Sequence, residues 1–152
     1  MSHWLTNTGK QLLVQGAWDD AAATAIKLGL LAGASTPAAI DTEAEIQDFQ
    51  FVADLLNATG VDEPVGGWYT RKDLSRTAAA LDQANNRANL DTANVTWTAA
   101  AAGQTIYGAF WFDTTTGTTD ADWKLCGLIL FTPVPLNGSD LTLTVTDLVR
   151  AT

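Results

Sequence analysis

The chain has 152 residues, with 17 acids against 8 bases and a formal net charge of −9. That balance repels nucleic-acid phosphates and excludes proteins that grip them with a basic face. A hydrophobic content of 47% against 16% charged residues excludes a disordered chain, and the length predicts one domain, residues 1–152, with a sizeable core.

The first sixty residues predict a helix–strand–helix segment. Ser2 is placed to cap a helix through Trp4, Leu5, Leu12 and Leu13, although Gly9 within it costs about 1 kcal/mol relative to Ala. Gly16 and Asp19-Asp20 punctuate its end. From Ala25 to Leu31 the residues alternate as a strand does, with Ile26, Leu28 and Leu30 on one face. Thr42-Glu43-Ala44-Glu45 then reads as a capping box. The helix it opens carries Ile46, Phe49, Val52, Ala53 and Leu56 on an apolar face, and Phe51 and Leu55 widen that face.

Residues 61–152 predict a β-rich segment. A turn-rich link leads to a short strand, Trp68 to Leu74. A polar loop or arm is expected around 78–94, where Ala, Asn and Gln dominate. Four β-patterned runs follow as a meander: Val95–Thr98, Thr105–Phe112, Trp123–Phe131 and Leu141–Val149. Period two places Ile106, Gly108, Phe110 and Phe112 opposite Tyr107, Ala109 and Trp111. It likewise places Trp123, Leu125, Gly127, Ile129 and Phe131 opposite Lys124, Cys126, Leu128 and Leu130. Both faces of these two strands are apolar, which predicts central strands covered twice and, from the surplus, self-association. The last run alternates Leu or Val with Thr and belongs at an edge.

The chemistry is sparse. Cys126 lies mid-strand as a small hydrophobe, and the single histidine, His3, is no partner base for it. No catalytic set and no cofactor are expected. Asp113, Asp120 and Asp122 around Gly117 offer oxygen ligands for Ca²⁺, but the spacing departs from an EF-hand and a hairpin tip explains the same residues. Arg71-Lys72 and Arg76 form the only local basic group and read as a solvated strand edge. The six Trp read as core or interface residues rather than as sugar-stacking platforms. No apolar run approaches the roughly 18 residues of a membrane helix, and the start Met1-Ser2-His3-Trp4 has neither the basic region nor the apolar core of a secretion signal.

In chain order there is an Asn7-Thr8-Gly9-Lys10 helix, a strand Ile26–Leu30, a Gly67-Trp68-Tyr69-Thr70-Arg71 turn-strand and the β runs. That order resembles a family of small head decoration, cement or minor capsid proteins of tailed bacteriophages. Tyr69 and Arg71 match the aromatic and Arg of that family, whereas the doubled aromatic Trp68-Tyr69 and the acidic helix before it depart from its pattern. The resemblance implies a non-enzymatic virion protein on the capsid exterior, made in the host cytoplasm, homotrimeric and bound to the major capsid protein. Neither nucleic acid nor membrane is an expected partner. The alternative is a tail or baseplate accessory protein with a carbohydrate- or receptor-binding face.

The expected fold is mainly β (α+β): a β-sandwich or jelly-roll-like domain of about six or seven strands, with an N-terminal helix and one capped helix packed on the sheet. The expected partner interface comprises Trp68, Tyr69, Arg71 and Phe51, docking by apolar contact and changing little with salt.

Overall fold

The structure is a computed structural model that describes residues 2–14, 26–75, 80–82, 87–90, 92–145 and 149–151. Gly16, Asp19, Asp20, Arg76 and residues 146–148 of the last β run lie outside the described residues. The fold is mainly β. An antiparallel five-stranded sheet has the order β1-β8-β7-β2-β3, where β1 is Ser2–Leu5, β2 Ile26–Ala32, β3 Lys72–Asp73, β7 Thr105–Asp113 and β8 Lys124–Pro135. Two smaller sheets accompany it. One joins β4 Ala80–Asp82, β5 Arg87–Leu90 and β10 Val149–Ala151, and the other joins β6 Val95–Trp97 to β9 Leu141–Leu143.

Strands β7 and β8 are central, as two apolar faces require. One face carries Leu28, Leu30, Ala109, Trp111 and Ile129, under helix α1 (Asn7–Val14) and the β6–β9 ribbon. The other carries Tyr107, Phe110, Phe112, Leu125 and Leu128, under the short helices α2 (Glu43–Ile46) and α3 (Val52–Leu56). The chain therefore covers both faces itself. Among the described residues only Val65 and Val134 are large hydrophobics left exposed, so the surplus expected to drive self-association is absent.

Several elements differ from expectation for identifiable reasons. Ser2 opens a strand, not a helix: β1 pairs with β8 from Ser2↔Leu130 to Leu5↔Gly127. Thr6 takes the capping role, its hydroxyl accepting the Gly9 amide at 2.9 Å while donating to the Leu125 carbonyl at 2.6 Å. Gly9 is there for close approach, since a Cβ would lie 1.9 Å from the Cys126 carbonyl oxygen. The capped helix is split in two. Between its halves the backbone runs along β8, where the Leu125 amide donates to Gln50 and the Val52 amide to the Trp123 carbonyl. Asp54 then recaps α3, accepting from the Gln50 and Phe51 amides at 2.8 and 2.9 Å.

The four β runs do not form a meander. β7 and β8 pair with each other, while β6 and β9 pair outside them, Val95↔Leu143 to Trp97↔Leu141. The expected Trp68–Leu74 strand shrinks to Lys72–Asp73, and the expected polar loop contains the paired strands β4 and β5. The face assignments also slip. A register shift between Ile106 and Gly108 sets Ile106 with Ala109 and Trp111, and Tyr107 with Phe110 and Phe112. A second shift, at Trp111/Phe112 opposite Gly127/Leu125, puts Leu125 with Leu128 and Leu130, and Cys126 with Ile129.

Candidate functional site

The densest set of polar and aromatic interactions gathers where the 62–74 segment meets the outer edge of β2. An edge strand exposes unpaired amides, and here they are met one after another. β3 pairs with Lys27 and Leu28, the Tyr69 hydroxyl accepts the Leu30 amide at 3.0 Å, and the Ala32 amide donates to the Asp62 carbonyl at 2.8 Å. Tyr69 in turn donates to the Glu63 carboxylate. Burial first, and the neighbouring Glu63 charge second, push its phenol well above the usual tyrosine range. Trp68 meets the Tyr69 ring edge-on at 5.8 Å, and the Trp97 indole donates to the Thr70 carbonyl at 2.8 Å, fixing the turn from the other side.

Arg71 completes the arrangement. Its guanidinium forks onto Glu63, with Nε to Oε1 at 2.9 Å and Nη2 to Oε2 at 2.5 Å, and also pairs with Asp120. Its Cζ lies 5.2 to 5.6 Å from the ring centroids of Phe110, Phe112 and Trp123, rings that stack on one another at 5.5 and 5.3 Å. Burial opposes the charge, but the hydrogen bonds it donates to the two carboxylates outweigh that and hold the guanidinium above the usual arginine range. At 17% side-chain exposure Arg71 is no solvated edge residue, which corrects that expectation.

Of the four residues expected at a partner interface, Tyr69 and Arg71 are thus joined through Glu63 inside the chain. Trp68 is half-buried, packed against the core cluster that includes Leu28, Leu30 and Trp97. Phe51 lies apart from them, half-buried, bridged to Lys124 on the helical side. It helps to line a groove of about 640 Å³ with Asp48, Phe49, Gln50, Asp54 and Asn57. In the sequence Glu63 falls in the turn-rich link and Asp120 at the hairpin tip. Their signal was Arg71 itself, a cation among aromatics that demands carboxylates once buried.

The hairpin-tip acids do not converge on an ion. Asp113 accepts the Thr115 amide at 2.8 Å, Asp120 holds Arg71, and Asp122 accepts the Thr119 hydroxyl at 2.8 Å. Among the described residues no group of His, Cys, Asp or Glu is arranged to hold a metal. Trp97 and Trp111 are buried, Trp4, Trp68 and Trp123 are half-buried, and Trp18 lies outside the described residues. No helix among the described residues is long and apolar enough to cross a membrane. Comparisons with protein-family models, curated proteins and solved structures gave no match.

Proposed function

We propose that the chain is a non-enzymatic structural protein of a tailed-phage virion, decorating or cementing the head by binding the major capsid protein from outside. The observation that carries this reading is the resemblance of its sequence pattern to that protein family, with Tyr69 and Arg71 at the matching positions, although the β runs of that pattern pair otherwise than as a meander. The geometry adds support of a physical kind. The polar contacts of Tyr69 with Leu30 and of Arg71 with Glu63 and Asp120 brace the edge of the sheet, as suits a stiff shell component. A net charge of −9 suits an exterior position away from the packaged genome.

The homotrimer implied by the resemblance belongs to the same proposal, although surplus apolar surface no longer argues for it. The tail reading with a sugar-binding face draws less support, because no described Trp is fully exposed.

The test uses shells assembled from the major capsid protein encoded in the same genome. The purified chain should co-sediment with them and be found on the outside of virions imaged by electron microscopy. Absence from purified virions, or a position on the tail, overturns the reading.

A further inference from the structure

On the helical side of the sheet, the stretch of chain that carries α2 and α3 is acidic, and the cations of that side come from elsewhere: Lys10 on Glu43, Lys124 opposite Phe51, and Arg71. Between Lys27 and Arg71 the chain has no Lys, Arg or His, while acids recur from Asp41 to Glu63. On that side lies the groove lined by Phe49 and Phe51, both half-buried, with Asp48 and Asp54 exposed beside them. Asp48 Oδ1 accepts from Asn7 at 3.1 Å, and Asp54 Oδ2 accepts the Gln50 and Phe51 amides. That leaves the second oxygen of each carboxylate for another donor. Neither acid takes part in an ion pair among the described residues.

The same chain shows what such components hold. Arg71 is seated by two carboxylates, Glu63 and Asp120, and by the rings of Phe110, Phe112 and Trp123. The groove offers two carboxylates and two rings with no cation paired to them. We infer that it receives an arginine-bearing basic segment of a partner protein, the guanidinium lying against Phe49 or Phe51 and donating to Asp48 and Asp54. This rests on the proposed function and deepens it: the docking face of the capsid shell is basic. It also replaces the expected salt-insensitive apolar attachment by one that salt weakens, since exposed pairs are screened over about 10 Å at 0.1 M salt.

Two arms test it on the full chain. In the first, NMR titration with the blocked tetrapeptide Gly-Arg-Arg-Gly should move the signals of Phe49, Phe51 and Asp54. Its citrulline analogue, similar in shape and uncharged, should not. The Asp48→Asn/Asp54→Asn double variant keeps acceptors for the capping amides and should weaken binding about tenfold. Asp41→Asn removes a charge outside the groove and should change binding by less than about twofold. Equal binding of the citrulline peptide, or equal loss in Asp41→Asn, overturns the inference. Groove signals that move when the chain alone is concentrated assign the site to a second copy and also overturn it. The second arm is co-sedimentation with capsid shells. If shells bind the double variant as well as they bind the native chain, the groove is not the docking site and the capsid reading stands. If the peptide fills the groove but shells do not bind, the capsid reading falls and the basic-segment site stands.

Discussion

The Tyr69 hydroxyl sits 3.0 Å from the Leu30 amide, occupying the place on the edge of β2 that the next strand would otherwise fill. One phenol thereby ends the sheet and ties the edge to Glu63, which also carries Arg71. Tyr69→Phe keeps the ring against the core but strands the Leu30 amide and one Glu63 bond. It should cost about 1–3 kcal/mol in urea unfolding, with an unchanged m-value. A loss below the error of the fit would mean that water satisfies this edge as well as the phenol does.

Arg71 invites a graded series. Arg71→Lys keeps the charge but not the fork, and Arg71→Met keeps only the stem. The first should lose about 1–2 kcal/mol and the second about 3 kcal/mol, because Glu63 and Asp120 then lie side by side with nothing to neutralise them. Equal stability of the two variants would assign the contribution to the guanidinium fork and not to charge.

Gly9→Ala sets helix propensity against packing. Propensity predicts a gain of about 1 kcal/mol inside a helix. The 1.9 Å approach of a Cβ to the Cys126 carbonyl oxygen predicts a loss, because both partners are backbone. We expect destabilisation of about 2 kcal/mol or more, accompanied by displacement of α1 from β8. Thermal unfolding decides the sign.

Both tyrosines are shielded. Burial, with the charge of Asp62 added, pushes the Tyr107 phenol up to about 12, and Tyr69 lies higher still. A phenol whose value is raised on folding gives stability that is complete below the unfolded value of about 10 and is lost as pH rises through the folded one. Stability should therefore fall between pH 10 and about 12. Phenolate absorbance should stay flat near pH 10 and rise with unfolding. A normal tyrosine titration in the folded protein would contradict this burial.

Much of this architecture was legible in the sequence because hydrophobic period carries it. β7 and β8 announced themselves as doubly covered strands, and Leu28 and Leu30 as one face of β2. What the period could not show is where it slips. Tyr107 and Cys126 sit at register shifts, and a single extra residue moves every neighbour to the opposite face. Strand order was also hidden, since β6 looks as able to pair with β7 as with β9. The helix split followed from a tertiary demand, the hydrogen bonds of Gln50 and Val52 to the Trp123–Leu125 backbone, which no local signal encodes. At the site, Tyr69 and Arg71 were singled out, but as outward-facing residues. Their partners Glu63 and Asp120 are 8 and 49 residues from Arg71 in sequence, the second beyond the reach of any short motif.

The pairing of β1 with β8 sets a timetable for the nascent chain. Leu5 leaves the ribosome well before its partner Gly127, which follows more than a hundred residues later. At typical synthesis rates that interval is roughly 6–25 s, and for most of it Ile26, Leu28 and Leu30 have no β7 to lie beside. Completion of the sheet is thus a closing step joining strands more than a hundred residues apart, and contacts of such long range slow folding. A ribosome stalled before Leu125 would hold a chain with no strand for β1 to join, so its first strands wait longer for partners than the local contacts of a helical protein of equal length do.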